Sequence, residues 1–289
     1  MERIKGTGVA LVTPFNADLS IDYVGLEKLL NHQIESGIDY LVLMGTTGEC
    51  SVISKEEKEE IISFCKKINA RRLPLVLGLG GNDTLVLVDE IQATDFTGID
   101  AVLSVSPCYN KPTQEGIYQH YKIIAEACPL PIILYNVPGR TASNMAVKTT
   151  LRLANDFENI IAIKEASGDM DQIMKIINNK PTDFIVLSGD DGLTLPMIYM
   201  GAEGVISVIG QSHPTEYSTM VTEARKGNIA NANALHYSIY DYYEPLYAEG
   251  NPAGVKACLE LLGICKAVVR PPLVEASSTI KHQLKVLLK

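Results

Sequence analysis

No stretch of the 289-residue sequence approaches the roughly 20 consecutive apolar residues that a membrane-spanning helix needs. The opening Met1-Glu2-Arg3-Ile4-Lys5-Gly6 also lacks the apolar run of a secretory signal. No membrane association is expected, and the cytoplasm is the expected location. Positive charge is scarce: 25 Lys and Arg against 34 Asp and Glu leave a formal charge of -9. That is the wrong sign for a general nucleic-acid binder, although a few local cations can still dominate a cleft that receives an anion. The six cysteines (Cys50, Cys65, Cys108, Cys128, Cys258, Cys265) form no CxxC pair, and the five histidines are scattered. A structural zinc site or disulfide framework is therefore not expected, and reduced thiols suit the pattern. Nor does any Gly-x-Gly-x-x-Gly follow the first apolar run, which weakens the case for a doubly wound dinucleotide-binding sheet.

What the sequence does have is eight short apolar runs separated by helical patterns. They are Gly8–Val12, Tyr40–Met44, Pro74–Gly78, Ala101–Val105, Pro131–Tyr135, the run from Ile160 through Lys164, Asp183–Leu187 and Gly204–Val208. They do not alternate apolar with polar residues, which is how strands covered on both faces read. Between them, Ser54-Lys55-Glu56-Glu57 predicts an N-cap and acidic first turn for a helix to about Ile68. Asp83 caps a predicted helix through Phe96, and Thr113 another through Ala127. Strand-helix alternation repeated eight times predicts an α/β protein with a parallel (β/α)8 barrel over residues 1–225. After about residue 225 no strand pattern remains. Helices are predicted over Ile229–Ala248, Pro252–Leu262 and Ser278–Leu287, forming a small C-terminal appendage over 226–289. Its tyrosines Tyr237, Tyr240, Tyr242, Tyr243 and Tyr247 read as packing or subunit contacts.

Reactive groups in such barrels sit at the C-terminal ends of strands and in the loops that follow. Lys164 closes the sixth run. A buried ammonium without a partner usually becomes a neutral amine, which attacks carbonyls to form an imine; snorkelling to water from a strand end is the commoner fate of a lysine taken alone. Tyr135 closes the fifth run, so it neighbours Lys164 and could relay a proton, or simply be a core tyrosine. The second run leads into Gly45-Thr46-Thr47-Gly48-Glu49, where glycines allow close approach and hydroxyls and amides suit a carboxylate; by itself such a turn is also an ordinary loop. Arg140, in a Pro-Gly turn, could clamp a carboxylate in bidentate fashion or form a surface ion pair. The seventh run ends in Ser188-Gly189-Asp190-Asp191.

In order along one chain, Gly45-Thr46-Thr47-Gly48-Glu49, Tyr135-Asn136-Val137-Pro138-Gly139-Arg140, Ile163-Lys164-Glu165-Ala166-Ser167-Gly168 and Gly189-Asp190-Asp191 closely resemble the dihydrodipicolinate synthase and N-acetylneuraminate lyase family of pyruvate-dependent class I aldolases. The resemblance covers essentially the whole chain, tail included. It implies that Lys164 forms a Schiff base with pyruvate, and that the resulting enamine attacks the aldehyde of L-aspartate 4-semialdehyde. The adduct then cyclises on the route to L-lysine and diaminopimelate, with no cofactor and no metal. By the same resemblance, Tyr135 is the proton donor and acceptor, and Thr46 links it to Tyr109, a tyrosine reaching in from a neighbouring subunit. Thr47 holds the pyruvate carboxylate, Arg140 receives the semialdehyde's carboxylate, and Gly189 and Ile206 line the pyruvate pocket. A dimer is then functionally required, and dimers of this family usually pair into homotetramers.

Feedback-inhibited bacterial members bind L-lysine with histidines, a glutamate and a tyrosine at the dimer interface. The matching positions here are Lys55, Lys58, Val86 and Cys108, with Ser51 and Asn82 fitting better. Two ammonium groups and a missing carboxylate predict weak or no inhibition by L-lysine. Cys108 is a candidate reactive thiol or a merely buried cysteine. A lyase for sialic or 2-keto-3-deoxy sugar acids remains the alternative within the family, although a cation at Arg140 favours a short amino-acid aldehyde. A metal-dependent class II aldolase needs a His/carboxylate cluster at strand ends, where only His213 lies near. A non-catalytic binding protein would require an inert Lys164.

Overall fold

The branched apolar runs form eight strands: β1 (Gly6–Ala10), β2 (Tyr40–Leu43), β3 (Leu75–Gly78), β4 (Ala101–Val105), β5 (Ile132–Asn136), β6 (Ile160–Glu165), β7 (Ile185–Ser188) and β8 (Gly204–Ser207). In this computed structural model, which describes residues 4–288, each pairs in parallel with the next and β8 returns to β1, closing a barrel. Met1, Glu2, Arg3 and Lys289 lie outside the described residues. No helix among the described residues is long and apolar enough to cross a membrane.

Alternation along each strand divides two cores. Val42, Val76, Leu103, Ile133, Ala162, Leu187 and Ile206 fill the barrel interior, while Leu41, Leu77, Val102, Leu134, Ile163, Val186 and Val205 pack outward under the helices. This is why the runs do not alternate apolar with polar residues: both faces are covered. Gly8 makes room in the interior, since a Cβ there would fall 2.1 Å from the Tyr40 ring. That ring crosses to donate its hydroxyl to the Val205 carbonyl at 3.0 Å.

The first strand starts and stops two residues before the predicted run; at its end the Val12 amide donates to the Gln211 side chain (2.8 Å) instead of continuing the ladder. The capping box at Ser54 and Glu57 forms and starts the helix Lys55–Asn69. Asp83 and Thr113 cap the helices Thr84–Ala93 and Gln114–Ala127. The first of these ends before Phe96, where Thr94 turns extended and donates its hydroxyl to the Glu90 carbonyl at 2.6 Å.

Past residue 225 the predicted helix over Ile229–Ala248 is broken. A helix Ile229–Ser238, a 3-10 turn Tyr240–Tyr242 and a short helix Tyr243–Tyr247 replace it. Pro245 explains the break, since it has no N–H for the Asp241 carbonyl and its ring would meet that carbonyl in a continuous helix. Ala253–Leu261 follows, with Pro252 as its cap, then Ser278–Leu287, whose first turn is capped by the Ser277 hydroxyl.

Candidate active site

A one-residue irregularity aims the central side chain. Ile132 pairs with Ile160, but Ile133 pairs with Ala162, so Tyr135 comes opposite Lys164. Without that shift Ile163 would stand opposite Tyr135 and the lysine would point outward. Both side chains therefore face the barrel interior, 7 % and 6 % exposed. The lysine Nζ lies 4.3 Å from the centroid of the Tyr135 ring. Gly189, at the end of β7, leaves the space for the lysine stem. A Cβ there would lie 2.9 Å from Lys164 Cε and 2.7 Å from Ala166 Cβ.

Lys164, Tyr135, Thr46, Thr47, Arg140 and Gly189 line one cavity of about 380 Å³ at the C-terminal mouth of the barrel. Thr46–Gly48 form a 3-10 turn directly after β2. The Thr47 side chain is buried, and its Oγ1 accepts from Asn251 Nδ2 at 2.8 Å. The Gly48 carbonyl accepts from the Thr13 hydroxyl at 2.7 Å. Glu49 continues the turn with φ of 56°, and its carboxylate meets buried Lys256 at 2.5 Å. Arg140 sits on the short helix Pro138–Thr141 at the rim, exposed, with its guanidinium available to an incoming anion.

One expected lining residue stands elsewhere. Ile206 is buried in the interior cluster rather than lining the cavity, and Val208, two residues further on, lines it instead. Tyr109 is 87 % exposed, held at φ of 69°, and is not part of this chain's own cavity. Ser51 and Lys58 reach the far end of the cavity. Lys55 and Val86 line the adjoining groove between Lys55–Asn69 and Thr84–Ala93. The picture of two unopposed ammonium groups there is corrected: Lys58 is ion-paired with Glu90. Cys108 is half-buried. His213 is the residue that opens the helix Pro214–Arg225, and its ring packs tilted against Tyr242, with centroids 4.1 Å apart. Among the described residues no group of three or more His, Cys, Asp or Glu side chains is arranged to hold a metal ion.

Several residues of the site's surroundings were not anticipated. Tyr247, expected as a packing or subunit contact, and Asn251, to which the sequence assigns no role, both line the cavity. Tyr247 donates its hydroxyl to Asp191 Oδ2 at 2.5 Å. Asp191, 2 % exposed, also accepts from the Val208 and Ile209 amides, which ties the ends of β7 and β8 together. Burial pushes the neighbouring Asp190 carboxyl above the usual carboxylate range, and the Asp191 charge adds to it. On the outer side of β6, Glu165 is fully buried and accepts from Asn136, Gln172 and the Ser167 amide. Burial raises its carboxyl too, while those donors oppose the shift. This network locks the residue beside the lysine to β5 and to the helix Met170–Asn179.

The model of the dihydrodipicolinate synthetase family matches residues 3–289. The 4-hydroxy-tetrahydrodipicolinate synthase of Flavobacterium psychrophilum is 52 % identical over 289 residues, covering 100 % of this chain and 99 % of the relative. That of Parabacteroides distasonis is 50 % identical over 287 residues, covering 99 % and 97 %. Among solved structures, the dihydrodipicolinate synthase from Aquifex aeolicus superposes with a TM-score of 0.95 at 40 % identity, covering 99 % of this chain and 97 % of that one.

Proposed function

Because this chain belongs to the dihydrodipicolinate synthetase family, we propose that it condenses pyruvate with L-aspartate 4-semialdehyde to 4-hydroxy-tetrahydrodipicolinate, in L-lysine and diaminopimelate biosynthesis. It is then a lyase of the Schiff-base class. The observation that carries this reading is the buried Lys164 amine against the Tyr135 ring, at the floor of the cavity that also holds both threonines and Arg140.

In the proposed reaction the Lys164 amine adds to the keto carbon of pyruvate, and water leaves as the imine forms. The imine withdraws electrons, a methyl proton is lost, and the enamine carbon attacks the aldehyde; the amino group of the former semialdehyde then adds to the imine carbon, closing the ring and expelling the Lys164 amine. Tyr135, on the strand paired with that of Lys164, accepts and returns the protons. Thr47 and its turn receive the pyruvate carboxylate. Arg140 receives the semialdehyde's carboxylate, for which a planar guanidinium is well shaped. Gly189 leaves room for the lysine stem, and Ile206 supports the pocket from the interior beneath it. Thr46 passes the proton from Tyr135 to Tyr109 of a second subunit. The exposure of Tyr109 supports that arrangement, because a ring 87 % exposed suits insertion into a partner.

The working assembly is accordingly a dimer, paired into a homotetramer in the cytoplasm, with residues 1–225 as the catalytic barrel and 226–289 as its helical appendage. Inhibition by L-lysine is weak or absent.

A coupled assay supplying pyruvate with L-aspartate 4-semialdehyde tests the proposal. Turnover abolished by Lys164→Ala is expected. Cleavage of sialic or 2-keto-3-deoxy sugar acids, with no turnover of the semialdehyde, would overturn it.

A further inference from the structure

Behind the two-threonine turn lies a buried ion pair that the proposed chemistry does not use. Glu49 is 4 % exposed and Lys256 is fully buried. Lys256 Nζ donates to Glu49 Oε1 at 2.5 Å and to the Val268 carbonyl at 2.8 Å, and lies 4.1 Å from the centroid of the Phe15 ring. The other carboxylate oxygen accepts from the Arg270 amide at 2.9 Å. Removing two charges from water is costly, and well-packed apolar residues are often at least as stable in such a place. Stability alone therefore gives little reason for this pair, whereas the direction it imposes on the backbone does.

Glu49 holds a left-handed φ of 56°, a conformation that a non-glycine residue keeps only when its surroundings enforce it. Its amide donates to the Thr46 carbonyl at 3.0 Å, so the orientation of Glu49 sets that of the turn before it. The C-terminal segment grips this turn at two points five residues apart: Asn251 on the Thr47 hydroxyl and Lys256 on Glu49. Neither Glu49 nor Lys256 lines the cavity.

We propose that Glu49 and Lys256 are positioning residues for the two-threonine turn: the ion pair fixes the turn so that Thr47 meets the carboxylate of the keto acid, and it acts through Thr47 without touching substrate. This role rests on the reading of Lys164 and Thr47 given above. A double-mutant cycle on the full-length enzyme tests it, using Lys256→Met, Thr47→Ala and both together. The readouts are kcat, the KM for pyruvate and the thermal melt.

Lys256→Met is expected to raise the pyruvate KM about ten- to a hundredfold while the melt stays cooperative, the scale of a small misplacement. In the Thr47→Ala background the same change is expected to alter KM by less than about threefold, because coupled residues are not additive. The neutral pair Glu49→Gln with Lys256→Gln, which can retain a hydrogen bond, is expected to bring KM back towards the wild-type value. Equal factors in both backgrounds, or an unchanged KM in a folded Lys256→Met enzyme, would overturn the role. Where Lys256→Met does not fold, Glu49→Gln, which keeps an acceptor for the Arg270 amide, takes its place in the cycle with the same two outcomes. Pyruvate and borohydride labelling of the wild type separates the two levels. An unlabelled Lys164 removes the reading of the site itself, whereas a labelled Lys164 with additive effects removes only the role of the pair.

Discussion

Replacing Gly189 with alanine should disable the enzyme without unfolding it. The added Cβ would fall 2.7 Å from Ala166 Cβ, 2.9 Å from Lys164 Cε and 3.1 Å from Lys164 Cγ. Carbon atoms ordinarily approach to about 3.5–4.0 Å, so the lysine stem must retreat by roughly 0.5–1 Å. The Tyr135 ring stands beside the amine, which limits where the stem can go. Crowding of this kind costs about 1–3 kcal/mol of stability, enough to lower Tm by a few degrees in a chain of this size. Misplacement of a reacting atom by about 1 Å costs on the order of a hundredfold in rate. The kcat/KM for pyruvate in Gly189→Ala is therefore expected to fall about a hundredfold, with a parallel slowing of pyruvate-dependent borohydride inactivation. A melt only slightly below that of the wild type would show that the loss is local. Activity within about threefold of wild type would refute the reasoning, because this steric conflict should cost far more if Lys164 must sit where it does.

Three further outcomes can be checked independently. If Tyr109 serves a neighbouring subunit, mixing Tyr109→Phe with Lys164→Ala under conditions of subunit exchange regains activity, since a hybrid dimer pairs an intact lysine with an intact tyrosine; no recovery from proven hybrids would contradict this. His120 is buried, and burial pushes its imidazole down to about 4 from an ordinary 6.5. The unfolded chain therefore binds the extra proton between those values. The contribution is fully present above pH 6.5 and is lost as pH falls towards 4, a span worth about 3 kcal/mol. Denaturant titrations at pH 7 and pH 4 should show the wild type losing more stability than His120→Asn, and equal losses would contradict the assignment. Millimolar L-lysine should leave turnover unchanged. Lys55 brings an ammonium to the groove, Glu90 is already neutralised by Lys58, and Val86 supplies no carboxylate; a clear millimolar inhibition constant would contradict that.

The barrel was legible because its signals are local. Uninterrupted branched runs announce strands covered on both faces, and Ser54, Asp83 and Thr113 announce helix starts. The adjacency of Tyr135 and Lys164 followed from consecutive strands. Their shared inward orientation did not, since it depends on the register shift after Ile160, which no composition betrays. The partners of the site loops were hidden for a different reason. Asn251 meets Thr47 and Lys256 meets Glu49 across more than two hundred residues, and a lysine inside the apolar sequence of Ala253–Leu261 carries no local mark of its partner. Tyr247 was obscured by Tyr237, Tyr240, Tyr242 and Tyr243 around it, although its own hydroxyl is the one that reaches the Asp191 carboxylate. The break in the predicted helix over Ile229–Ala248 had a visible cause in Pro245, which the helical periodicity around it masked.

The central claim is that the Lys164 amine, among all the lysines of the chain, captures a 2-oxo acid. Incubating the protein with pyruvate, reducing with borohydride and mapping the peptides tests it directly. The account predicts an N-(1-carboxyethyl) group on Lys164 and loss of activity in proportion to its incorporation. An unmodified Lys164, or equal labelling spread over surface lysines with activity intact, would contradict it.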